Sequence, residues 1–267
     1  MPLTLDHVVV HVVDLEAAIA DYRALGFNVQ PGGAHADGAT HNALIVFADG
    51  SYIELIAFLK PQAPHRWAAW ARRGVEGFVD FALLPDSVGT AIAGAGERGL
   101  AYDGPIDGGR LRPDGERLRW QLGTPPTRDL PFLCGDITPR GLRVREGEVR
   151  IHPNGARGIA ALTVAVADLA ASLDRWRALL GPQWPSDARA ATLPGVGLTL
   201  AVLALGAAVV TLVAAGPDPD EGVALRERLA NHGEGLIGIG LQRPAGAGAL
   251  ALPSDRCHGA AIEFVAS

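Results

Sequence analysis

Two stretches decide the fold: DLEAAIADYRALGF, from Asp14 to Phe27, and DLAASLDRWRALLG, from Asp168 to Gly181. Each opens on an aspartate suited to capping a helix, carries apolar residues at helical spacing, and closes through Arg-Ala-Leu toward a glycine. In the first copy the stripe is Leu15, Ala18, Ile19, Tyr22 and Leu25; Tyr22 is matched by Trp176 in the second. A valine-alternating run precedes each, HVVVHVV and ALTVAVA, and reads as a strand. A repeat of this length fixes architecture before any motif is weighed.

Outward from the first copy, FNVQPGG and HNALIVF read as strands, Asp49-Gly50 as a hairpin turn and SYIELIAF as a further strand, giving a βαβββ unit. EGFVDFALLPDSVGTAIAGAGERGLAY begins a second unit, with a hairpin around Pro113-Asp114-Gly115 leading into LRWQLG and then LPFLCGD. The third unit starts at the second helix copy and continues into a hairpin turning near Leu205-Gly206. GLIGIGLQ to AAIEFVAS supplies strands with no evident helix after the first of them. The expectation is an α+β protein of tandem βαβββ modules in two pairs, the last module truncated. One pair spans 1–137 and the other 158–267, with 138–157 as a linker.

Composition bounds the function classes. With 48% hydrophobic residues in 267, the chain can fill a sizeable core. A net charge of −6 without a basic run argues against a nucleic-acid partner. The apolar region around 196–215 is broken by glycines, so it reads as two strands, not a membrane span. Cys134 and Cys257 read as reduced core residues, and MPLTLDHVVV lacks signal-peptide character, so a cytoplasmic protein is expected. GAGERG and AGAGA do not follow a strand-to-helix phosphate-loop pattern.

Alternation along the first strand puts His7, Val9 and His11 on one face and Val8, Val10 and Val12 on the other. In YIELIAF, Tyr52, Glu54 and Ile56 lie opposite Ile53, Leu55 and Ala57. An imidazole and a carboxylate therefore share the face away from the helix. They could form a metal site or a structural hydrogen bond lining a pocket.

Leu5-Asp6-His7, PGGAHADGATHNALIVF and Tyr52-Ile53-Glu54-Leu55 resemble the glyoxalase-like domain group of the vicinal oxygen chelate superfamily, which includes glyoxalase, bleomycin-resistance and dioxygenase proteins. The resemblance covers mainly Leu3 to Asp136. It implies modules paired across a pseudo-twofold axis, with curved mixed sheets around a cavity. A divalent ion (Zn, Fe, Mn or Ni) would sit in the cavity, held from first and fourth strands and chelated by a small oxygenated substrate. Isomerase or lyase chemistry ranks ahead of extradiol-type dioxygenase chemistry. Metal-free binding or sequestration is the alternative, and a homodimer stays open.

Under that resemblance His7 and Glu54 are candidate ligands. Aligning Gly99 with Gly26 brings Asp80 to the place of His7 as a third, where the family more often has His or Gln. His11 and His41 are candidates for proton transfer. Tyr52, Asn42, Trp120 and Arg119 are candidates for substrate contact, with Arg117 as an alternative to Arg119. In the second half Ala161 takes the place of His7, and Val210 or Thr211 that of Glu54, so no metal is expected there.

Overall fold

The first strand is central to its sheet and flanked on both sides. The structure is a computed structural model describing residues 2–112, 114–193, 195–218, 220–244 and 248–265. Its first half contains β1 (Thr4–His11), α1 (Leu15–Ala24), β2 (Gln30–Ala34), β3 (Thr40–Val46), β4 (Tyr52–Phe58), α2 (Ala68–Arg73), β5 (Gly77–Leu84), α3 (Val88–Glu97), β6 (Asp103–Leu111), β7 (Arg117–Thr124) and β8 (Phe132–Asp136). These strands form one mixed sheet ordered β2-β3-β4-β1-β5-β8-β7-β6. After α4 (Arg140–Arg143) come β9 (Gly158–Ala165), α5 (Leu169–Leu180), β10 (Ala190–Leu193), β11 (Leu198–Leu205), β12 (Ala208–Ala215), α6 (Val223–His232), β13 (Gly235–Gln242), β14 (Leu250–Ala251) and β15 (Ile262–Val265). The second sheet runs β10-β11-β12-β9-β13-β15-β14.

The repeated helices form for the anticipated reasons. Asp14 accepts from the amides of Glu16 and Ala17, and Asp168 from that of Ala171. Leu15, Ala18, Ile19 and Tyr22 are buried on α1, while Trp176 on α5 is fully buried and stacks on Phe81 at 6.2 Å. The helix-covered faces of both sheets contribute to one hydrophobic cluster, including Val8, Val10, Phe81, Trp176, Leu212 and Phe264. Among the described residues the fourth module shows no helix between its first strand and β14, as expected. The helix α6 before that module and the short α2 have no side-chain N-cap bond, and each ends at a glycine, Gly233 and Gly74.

Strand register exposes the pseudo-symmetry. β1 pairs antiparallel with β5, His7 opposite Ala82 and Val9 opposite Asp80; Thr4–Leu84 is mirrored by His11–Gly77. Asp80 is thus the counterpart of His7, and the bulge that skips Asp6 is mirrored by one at Val79. Glu54 lies across from Val9, and its counterpart across from Ala82 is Phe132. In the second sheet the same logic gives Ala161 and Gly238 for His7, and Thr211 and Glu263 for Glu54.

Two local readings shift, and two others fall on residues outside those described. The strand expected in FNVQPGG starts at Gln30, three residues late. Pro113 of the β6–β7 turn and residues 245–247 of AGAGA lie outside the described residues. The segment 138–157, expected as a linker, carries α4 and a short 3-10 turn at Gly147–Arg150, and it packs on the first sheet. Among the described residues no helix is long and apolar enough to cross a membrane.

That segment also seats His152, whose Nδ1 accepts from the Asn28 amide (2.9 Å) while Nε2 donates to the Val46 carbonyl (3.0 Å). Burial pushes its pKa below the ordinary 6.5, outweighing the carbonyl bond, so the neutral ring is the folded form. A lowered folded pKa contributes stability that is complete above the unfolded value and lost as pH falls through the folded one. Thermal melts should therefore drop below about pH 6.5, with a shallower drop in His152→Gln. Equal slopes would assign the acid sensitivity elsewhere.

Candidate functional site

The cavity face of the first sheet begins with β1. His7 Nδ1 lies 2.7 Å from Asp6 Oδ2, a contact between neighbours that normally face opposite ways and that the bulge at Asp6 permits. Asp6 is fully buried and also pairs with Arg143 (2.7 Å) and Arg140 (2.7 Å). Burial alone would raise its pKa; Arg143 leads the attractions that hold the carboxyl far below the usual range. Tyr52 stacks on His7 at 4.4 Å, and its hydroxyl accepts from Arg143 (2.7 Å).

The other nitrogen of His7 faces Glu54. Nε2 is 3.4 Å from Oε2, while Asn42 donates to Oε1 at 2.6 Å and His35 Nε2 lies 3.6 Å from Oε1. The carboxylate is bracketed by two imidazoles. Burial would raise the Glu54 pKa, but His7, His35 and Asn42 bring it down to about 2. His7 shifts upward: burial opposes its charge, yet Asp6 and Glu54 outweigh that. His35 shifts downward because burial dominates over its attraction to Glu54, and its Nδ1 is engaged by Thr40 Oγ1 at 2.7 Å. The two rings are shifted in opposite directions around one carboxylate.

These groups line a cavity of about 260 Å³ whose aromatic wall includes Trp67, Trp120 and Phe132 and whose cations are Arg66, Arg110 and Arg143. Two glycines make the packing possible. A side chain at Gly32 would collide with the Asn42 amide, and one at Gly108 with the Trp120 indole.

Of the residues expected at the site, His7, Asn42, Tyr52, Glu54 and Trp120 line this cavity. Asp80, His11, His41 and Arg119 are not brought to it. Asp80 is bound by Arg66 (2.6 Å) and the Trp67 indole (2.8 Å). His11 lies on the cavity side of β1, but its Nδ1 is bonded to the Val75 carbonyl (2.7 Å) and its ring packs on Phe58. His41 is adjacent to Asn42 on a strand and must face the other way; the alternation that placed His7 and Glu54 applies equally there. Arg119, like Arg117, is exposed. His35, Arg110, Arg66 and Arg143 are the additions. His35 stands in the connection between β2 and β3, just before the strand that carries His41, and Arg143 comes from the segment expected to be a linker.

The ligand set implied by the resemblance can be tested on these donors. The second module offers Asp80, held by an arginine and an indole, and Phe132, which has no donor atom. Cys134 lines the cavity, but burial pushes its thiol up to about 12. His7 and His35 address different oxygens of Glu54, and among the described residues no three His, Cys, Asp or Glu side chains are grouped to hold one ion. Open metal sites commonly use three protein ligands, a number this donor set does not reach.

A mixed sheet of paired βαβββ modules around a cavity, with polar groups from first and fourth strands, defines the vicinal oxygen chelate architecture. The chain belongs to the glyoxalase-like domain family, which matches residues 5–180. Among solved structures, a hypothetical protein from Staphylococcus aureus aligns over 99% of this chain and 100% of its own, with TM-score 0.71 and 14% identity. A mutant of 4-hydroxymandelate synthase from Streptomyces coelicolor aligns over 96% of this chain and 78% of its own, with TM-score 0.61 and 14% identity. At these identities the likeness is one of fold. No curated protein matches.

Proposed function

We propose that this cavity catalyses proton transfer on a small oxygenated substrate, in the manner of an isomerase or lyase, without a resident metal ion. The observation that carries the reading is the buried Glu54 carboxylate between His7 and His35, whose pKa values move apart. Acid and base are commonly assigned by such divergence. His35, unprotonated, takes a proton from the carbon next to a carbonyl; the electron pair moves onto the carbonyl oxygen as an enolate. The positive charge of the His7 imidazolium, held between Asp6 and Glu54, stabilises that oxygen through space, and return of a proton to the carbon completes the exchange step shared by isomerases and lyases. Trp120 and Phe132 exclude water beside the reacting carbon.

A divalent ion held by His7 and Glu54 is the competing reading, favoured by the chemistry of two imidazole donors flanking one carboxylate. Solvent-deuterium incorporation next to the carbonyl, followed by NMR across small aldehydes, ketones and esters, tests the proposal. Stereospecific wash-in should fall by about a hundredfold or more in His35→Gln. No wash-in, or unchanged wash-in in that variant, overturns it. Elemental analysis beside His7→Ala and Glu54→Ala tests the metal separately. One ion per chain in the parent, lost in both variants, would replace the metal-free mechanism with ion-assisted chemistry.

A further inference from the structure

A second cavity of about 250 Å³ abuts the first and shares Leu44, Arg110 and Arg143 with it. Its lining combines apolar side chains, Pro31, Val46 and Leu142, with four guanidinium groups from Arg110, Arg112, Arg143 and Arg145. Two of those charges are already answered, Arg143 by Asp6 and Asp136 and Arg112 by Asp114. Among the described residues, Arg110 and Arg145 have no carboxylate at ion-pair distance; Arg110 donates to the Gly32 carbonyl.

Arg110 is the sharper case, being only 5% exposed. A buried cation without a contacting counter-charge is costly, and the other deeply buried arginine of this site, Arg143, has two carboxylates in contact. Arg110 is nevertheless fixed in place: its strand pairs with β7, and a bridge to His35 ties it to the loop that supplies the base. A cation so held between two cavities feels the Glu54 charge only through space and, among the described residues, has no carboxylate in contact.

We infer that Arg110, with Arg145 at the outer pocket, binds an oxyanion of the substrate, a carboxylate or a phosphate, while the reacting carbon lies against Glu54 in the first cavity. This rests on the proposed proton-transfer reading for the reacting end, but the anion site can be measured alone. The apolar lining between the arginines suits a short hydrocarbon stem joining the two ends.

Calorimetric titration with inorganic phosphate and, separately, benzoate at constant ionic strength set by chloride is the test. At least one anion should bind saturably, with affinity about tenfold or more weaker in Arg110→Gln and reduced in Arg145→Gln. Arg119→Gln, outside both cavities, should bind like the parent. Binding of phosphate alone assigns a phosphate ester, and binding of benzoate alone a carboxylate. Glu54→Gln should retain anion binding while losing deuterium wash-in, so the two readings fail separately. Neither anion binding above chloride, or unchanged binding in both arginine variants, overturns the inference. Where Arg110→Gln does not fold, the exposed Arg145 variant decides.

Discussion

Arg143→Met is expected to destabilise the protein by about 3–5 kcal/mol, the cost typical of breaking a buried ion pair from one side. Arg143 is 4% exposed and bonds Asp6, Asp136 and the Tyr52 hydroxyl at 2.6–2.7 Å. Methionine retains most of the stem but leaves Asp6, with no solvent exposure, dependent on Arg140 and His7. Chemical denaturation should show a lower midpoint with an unchanged slope. Adding Asp6→Asn to Arg143→Met should recover part of the loss, since the second substitution removes the charge that the first stranded. Additive destabilisation would mean the two residues act independently, contrary to their contact.

The same ion-pair network explains why the site was only partly legible in the sequence. Alternation within β1 and β4 was enough to bring His7 and Glu54 to one hollow, because each strand contributes a single face and the two are neighbours in register. The helix repeat likewise carried the module count, since its caps and stripe are local. What lay beyond local pattern was the assignment of partners. Asp80 occupies the symmetric place of His7, as the repeat alignment indicated, yet Arg66 and Trp67, from the connection before β5, occupy its carboxylate.

Arg143 was hidden for a related reason. It stands in a polar stretch between two modules, and nothing in RGLRVREGEVR marks one arginine as plugging a buried aspartate over a hundred residues earlier. Asp6 carried the better signal, being an acid next to His7 in a strand otherwise rich in valine. A carboxylate in that setting requires a cation, and the bulge that turns it toward His7 requires long-range pairing with β5. His35 is intermediate: excluding His41 by strand alternation leaves it as the loop histidine free to turn inward.

Glu54→Gln should reduce turnover by about 10²–10⁴-fold, because the charge of this one carboxylate acts on both imidazoles. Its charge supports the raised pKa of His7 and partly offsets the burial that lowers that of His35. Without that charge both titrations should move down, and NMR of the ring protons can follow each. The stability consequence has a definite sign. A raised folded pKa on His7 contributes stability that is complete below its ordinary value of 6.5 and lost as pH rises through the raised value. Glu54, lowered to about 2, contributes stability that is complete above its ordinary 4.5 and lost as pH falls toward 2. Melting temperature in the parent should therefore decline on the alkaline side of 6.5, and this decline should flatten in Glu54→Gln. Because glutamine keeps the shape and can still meet Asn42, a merely structural Glu54 would leave both the His7 titration and the alkaline slope in place. Observing that would remove the electrostatic basis of the proposed acid and base.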